Sequence, residues 1–99
     1  MLHIVNKSPF ERPALDSCLR LAQPGSAILL IEDGVYAATD IGDLAQRFAR
    51  AAAGVKVYAL GPDIEARGLQ ERIRKDVERV DHAGFVDLVV KYPAAQSWL

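Results

Sequence analysis

A single cysteine in 99 residues excludes an internal disulfide, and with it any zinc site built on several thiolates of one chain. The two histidines, His3 and His82, stand too far apart in sequence to form a local ligand pair. Neither sign of charge dominates: 12 Lys and Arg against 13 Asp and Glu leave a net charge of -1. That balance provides no cationic field for wrapping nucleic acid and no strong attraction to anionic membranes. No apolar run approaches the about 20 residues that a bilayer-crossing helix needs. His3, Asn6 and Lys7 interrupt the N-terminal segment too early for a signal peptide, so a cytoplasmic protein is expected. The loop after the first apolar run, Asn6-Lys7-Ser8-Pro9-Phe10, holds no glycine, which removes both a dinucleotide fingerprint and a P-loop. Ser26 precedes an apolar run, whereas a nucleophile elbow places its serine after one.

What is present is core material in an alternating order. Hydrophobic residues make up 51% of the chain, enough for one domain spanning residues 1–99. Leu2-His3-Ile4-Val5 reads as a strand entering a turn. From Pro13 to Ala22, Leu15, Cys18, Leu19 and Ala22 fall on one helical face, with Pro13 suited to the first turn and Pro24-Gly25 as the stop. Ala27 to Ile31 is continuously apolar, as a strand covered on both faces must be. The segment Ile41 to Ala53 predicts a helix: Ile41, Leu44, Ala45, Phe48, Ala49 and Ala52 form its stripe, Asp40 its N-cap and Gly54 its left-handed end. Val55 to Leu60 is a third strand; a short helical piece follows and ends at Gly68. Val77 to Val80 is a fourth strand, suited to an edge. Asp81 then caps a helix in which Phe85, Leu88, Val89 and Tyr92 share a face, and Pro93 ends it. Strand alternating with helix predicts an α/β fold, a single three-layer α/β/α domain with a mostly parallel sheet of four or five strands.

Few residues can carry chemistry. Cys18 is the one side chain able to form a covalent intermediate by itself, yet it shares an apolar stripe, and free cysteine is among the most buried residue types. Glu32-Asp33-Gly34 ends the second strand, where open α/β sheets build their sites. A small-molecule crevice is one reading there; the other is a turn capped by Asp33 with a positive φ at Gly34. His3 reads as a hydrogen-bonded structural histidine and His82 as a solvated one. Lys56 and Tyr58 alternate with Val55 and Val57, leaving one face of that strand partly polar or against another chain. Arg67, Arg72, Arg74, Lys75 and Arg79 are interleaved with Glu71, Asp76 and Glu78, the pattern of a solvated surface. The chain closes on Trp98 and Leu99, which either pack on the domain's own sheet or anchor an interface with a neighbouring subunit.

Read together, Met1-Leu2-His3, the turn Asn6 to Phe10, Leu29 to Ala37, Lys56 to Gly68, Val80 to Lys91 and the closing Gln96-Ser97-Trp98-Leu99 resemble the DsrH/TusB family in order and spacing. The resemblance implies a DsrE-like, flavodoxin-like domain in an intracellular sulfur relay. It implies partners of the DsrE/TusD and DsrF/TusC types in a heterohexamer and a DsrC/TusE-type sulfur acceptor, with no metal and no organic cofactor. The relay would serve either 2-thiolation of the tRNA wobble uridine (TusBCD-type) or sulfur oxidation (DsrEFH-type). Cys18 in the first helix, with the Asn6–Phe10 turn, is similar to the DsrH-type chains. The resemblance places the persulfide cysteine on the DsrE/TusD-type partner, and makes Cys18 a candidate second carrier. If Cys18 reacts, its thiolate attacks a donor's persulfide sulfur and keeps that sulfur until another thiolate removes it.

Overall fold

The computed structural model describes residues 1–51 and 53–98. Five strands form one sheet: β1 (Leu2–Val5), β2 (Ala27–Leu30), β3 (Lys56–Leu60), β4 (Val77–Val80) and β5 (Ala95–Trp98). Their order is β4-β3-β2-β1-β5 and every pairing is parallel. Parallel neighbours need crossovers, and the helices supply them: α1 (Ala14–Leu21), α2 (Leu44–Ala49), α3 (Gly61–Ala66) and α4 (His82–Lys91). A 3-10 helix, Glu32–Ala38, adds a further piece after β2.

Strand alternation sorts the core into two layers. Val5, Ile28, Leu30, Ala59 and Val77 point to one face, where they meet Leu15, Cys18 and Leu19 of α1, Val35, Ala37 and Ala38 of the 3-10 helix, Leu44 and Phe48 of α2, and Ile64 of α3. Leu2, Ala27, Leu29 and Tyr58 point to the other face and meet only α4, through Leu88 with Phe85 and Tyr92 beside it. β2 lies in the middle of the sheet and all four of its residues are buried, as its unbroken apolar run requires. Tyr58 therefore faces core, and burial first, then Tyr92 and Glu78, raise its phenol above the ordinary value.

The three-layer α/β/α arrangement agrees with the sequence, and Asp81 caps α4 as expected, its Oδ1 accepting from the Gly84 N–H at 2.8 Å. Several local expectations are corrected. The helix read from Ile41 to Ala53 is confined to Leu44–Ala49, because Gly42 takes φ 60 and breaks the first turn. Asp40 is thus no N-cap; its carboxylate holds Arg72 at 3.1 Å. Gly54 does adopt a positive φ of 83, but in the turn before β3. Ala45 and Ala49 are exposed and Ala52 lies outside the described residues. On α4, Val89 turns toward solvent with Val86 and Val90, leaving Phe85, Leu88 and Tyr92 to face the sheet.

Candidate functional site

Cys18 sits in the middle of α1, its side chain fully covered by the core between the helix and the sheet. The apolar stripe that forms α1 is the same stripe that carries the sulfur inward. Burial pushes the thiol from 9.0 up to about 12. Burial therefore strongly disfavours the thiolate, the form that attacks sulfur, at neutral pH. Arg20, two positions on, is exposed and on the wrong side of the helix to assist.

The carboxyl ends of β1, β2 and β3 meet where the sequence places the crevice. Here several polar groups satisfy one another. Asp63 Oδ2 accepts from the Glu32 backbone N–H at 2.7 Å, and Arg67 binds Asp33 at 2.9–3.0 Å while donating to the Asp63 carbonyl. Gly34 is required for a reason other than the one expected. Its φ is not positive; a Cβ there would collide with the Val5 carbonyl, so the glycine lets the 3-10 helix close on β1. The positive φ belongs instead to Glu32, at 50. Asn6 Oδ1 is the buried side-chain acceptor that lacks a partner in this region. An opening of about 350 Å3 is lined by Ser8, Phe10, Glu11, Asp33, Tyr36 and Ile41. Among the described residues no three His, Cys, Asp or Glu side chains cluster as metal ligands.

A second polar constellation lies where β1 and β5 pair. Trp98 on β5 donates from Nε1 to His3 Nδ1 on β1 at 3.0 Å, with ring centroids 5.9 Å apart. His3 is only 4% exposed, and burial, followed by the nearby amino terminus, lowers its pKa from 6.5. An accepting Nδ1 fixes the neutral tautomer with the proton on Nε2. This is the structural histidine the sequence predicts. Both residues line a cavity of about 470 Å3 with Leu21, Gln23, Ser26 and Gln96. Trp98 thus packs on the domain's own sheet; Leu99 lies outside the described residues. His82 is exposed, as expected.

Sequence reasoning missed Arg74. Interleaved charge reads as solvated surface, yet this side chain is only 7% exposed. Its Nη1 donates to the carbonyls of Ala37 and Thr39 at 2.7 Å, its Nε to Asp76 at 3.0 Å, and its guanidinium lies 4.5 Å from the Phe48 ring centre. The carbonyls it satisfies end the 3-10 helix, a segment that sequence pattern did not reveal. No local signal marks a cation whose acceptors lie 35 and 37 residues away.

Comparison with known proteins turns this geometry into a family. The model described as "DsrH like protein" matches residues 7–95. The chain belongs to the DsrH family. Within the wider set of DsrH relatives, Protein TusB of Pectobacterium parmentieri is 41% identical over 98 residues, covering 99% of this chain and 100% of that one. Protein TusB of Escherichia coli is 39% identical with the same coverage. Among solved structures, the ychN protein from Escherichia coli superposes with a TM-score of 0.82 at 18% identity, covering 98% of this chain and 97% of that one. A Thermotoga maritima protein solved by solution NMR gives 0.67 at 27% identity, covering 92% and 93%. These agree with the parallel α/β fold of a DsrH-family chain. No helix among the described residues is long and apolar enough to cross a membrane.

Proposed function

We propose that this DsrH-family chain is a cytoplasmic subunit of a sulfur-relay complex of the TusBCD type, serving 2-thiolation of the tRNA wobble uridine. Its partners are TusD-type and TusC-type chains in a heterohexamer, and a TusE-type protein accepts the sulfur. The observation that carries this reading is the end-to-end likeness to proteins named TusB, at 39–41% identity. It favours the thiolation branch over the DsrEFH sulfur-oxidation branch, toward which Cys18 and the Asn6–Phe10 turn lean.

In this reading the chain organises the relay and the persulfide stays on the TusD-type partner. Sulfur passes when an acceptor thiolate attacks the outer sulfur of a donor persulfide, releasing the donor thiolate. Cys18 is poorly suited to either role, being enclosed in the core with its thiol pushed up to about 12. As a carrier it would first need α1 to open. The small-molecule alternative at Asp33 is disfavoured because Arg67 already occupies that carboxylate.

Native mass spectrometry of the chain isolated from its host without reductant tests both parts. A hexamer containing two related partners is expected, with the Cys18 peptide unmodified. A homo-oligomer or monomer would overturn the relay assembly. An added sulfur of about 32 Da on the Cys18 peptide would instead make this chain a carrier. A Cys18→Ser complex that transfers sulfur at the unsubstituted rate supports the organising role.

A further inference from the structure

The sheet has two outer edges, and one of them, though only four residues long, carries neither charge nor proline to keep strands from pairing. β5 reads Ala95-Gln96-Ser97-Trp98: no charge, no proline and no bulge, with Ala95, Gln96 and Ser97 exposed. Edge strands without such protection are templates for another strand. The Leu2 N–H donates to the Ala94 carbonyl at 2.9 Å, so the period of two turns Gln96 and Trp98 backbone groups toward β1. The N–H and C=O groups of Ala95 and Ser97 therefore face outward, unpaired within the sheet. Leu21 and Met1, 61% and 48% exposed, line the cavity that Gln96 and Trp98 border, and extend the same margin with apolar surface.

We propose that this edge pairs with the β5 edge of a second copy of the chain, antiparallel, about a two-fold axis through Ser97. Three observations select that occupant. The opposite edge, β4, carries exposed Glu78 and Arg79, so a head-to-tail contact of β5 on β4 would crowd charges against an uncharged strand. Like edge against like edge is what remains, and such a contact closes as a dimer instead of growing into a fibre. The register is set by the faces: Gln96 and Trp98 share the face of α1, Ser97 the face of α4, so Ser97 stands opposite Ser97 and Gln96 opposite Trp98. In that register the Ser97 pair exchanges both backbone bonds, and each Gln96 covers the part of the second copy's indole that its own fold leaves in water. No like charges are opposed anywhere along the pair.

The inference goes beyond the sulfur-relay reading and is tested on the isolated full chain, so the failure of either leaves the other standing. Sedimentation equilibrium across the micromolar range is expected to give twice the 10.8 kDa chain mass. Ser97→Pro removes an N–H that faces away from β1, so it should retain the native circular dichroism and sediment as a monomer; Ser97→Lys does the same by charge should the proline variant fail to fold. Ser97→Cys places two thiols on the axis at a Cα separation of about 5.5 Å, within disulfide reach, and diamide should link the chains by taking up the two thiol hydrogens. Gln96→Cys, one step off the axis, should not cross-link. A monomeric unsubstituted chain, a dimer that survives Ser97→Pro and Ser97→Lys, or cross-linking through Gln96→Cys in place of Ser97→Cys would overturn the proposal.

Discussion

At one edge of the sheet, β4 carries exposed Glu78 and Arg79, and the segment before it is gathered by side chains: Arg79 donates to the Gln70 carbonyl, Arg74 to Ala37 and Thr39, and Arg72 to Asp40. At the other edge, β5 is uncharged and is held to β1 by the strand ladder and by the Trp98–His3 bond between residues 95 positions apart. Both strands are four residues long and parallel to their neighbours, so length and pairing do not distinguish them. What differs is how each is secured. The β4 edge carries two exposed charges and follows a segment that guanidinium contacts hold in place. The β5 edge keeps its outer backbone groups uncommitted.

The largest way to break the contrast is to remove Arg74. Arg74→Ala leaves the carbonyls of Ala37 and Thr39 without their donor and uncovers Phe48, a change expected to cost about 2–4 kcal/mol in urea unfolding. Arg74→Lys recovers little, because an ammonium lacks the planar fork that reaches two carbonyls and a carboxylate together. The loss should fall on β4: amide exchange rises over Val77–Val80 and stays unchanged at Ala95–Trp98.

Trp98→Phe sharpens the comparison from the other side. It keeps an aromatic ring but removes the indole donor, leaving His3 Nδ1 unpaired, and is expected to cost about 1–2 kcal/mol. Exchange should now rise at β5 and not at β4. Outcomes equal at both edges for either variant would show that the sheet opens as one unit and that the difference in construction has no energetic consequence.

The two edges also differ in how far sequence discloses them. β1 to β4 were legible because apolar runs of strand length, bounded by turn residues, say what they are without reference to partners. So was the Asp81 cap, whose acceptor and donor lie three residues apart. The role of Trp98 was not legible: an apolar residue near the last position is consistent with its own sheet or with a neighbour, and the choice depends on β5 landing beside β1. The 3-10 helix escaped notice because Glu32-Asp33-Gly34 has the chemistry of a turn, and the close approach of Gly34 to the Val5 backbone is a long-range contact that local pattern does not disclose. At Cys18 the stripe Leu15, Cys18, Leu19, Ala22 already pointed inward, and the structure places the thiol there. Position inside an assembly has no periodicity to read, so Cys18 became a candidate carrier only through resemblance.

A smaller effect comes from pH. Because burial lowers the His3 pKa below 6.5, the unfolded chain binds more protons than the folded one between the two values. The stability contributed by neutral His3 is therefore complete above pH 6.5 and is lost as pH falls through the lowered folded value. Protonation also converts Nδ1 from acceptor to donor and ends the Trp98 bond. Trp98 is the chain's one tryptophan, so its emission should shift to longer wavelength as pH falls below 6.5 and the β5 edge loosens. His3→Gln should flatten that profile. A profile unchanged by His3→Gln would assign the acid sensitivity to carboxylates elsewhere.

The smallest effect is expected where the β4 edge looks most elaborate. Arg72 and Asp40 make two hydrogen bonds at 3.1 Å, yet their side chains are 55% and 63% exposed. Water solvates both charges when they part, so the ion pair competes with hydration and with the entropy of holding a long side chain still. Asp40→Asn should change stability by no more than about 0.5 kcal/mol, and the change should vanish in high salt. Arg74 differs from Arg72 both in burial and in partners, bonding Ala37, Thr39 and Asp76 where the Arg72 side chain bonds Asp40 alone. The Arg74 carbonyl acceptors have no such access to solvent, whereas Asp40 does. If Asp40→Asn costs as much as Arg74→Ala, the edge is held by charge; if the two differ as expected, it is held by buried backbone acceptors that a single guanidinium satisfies.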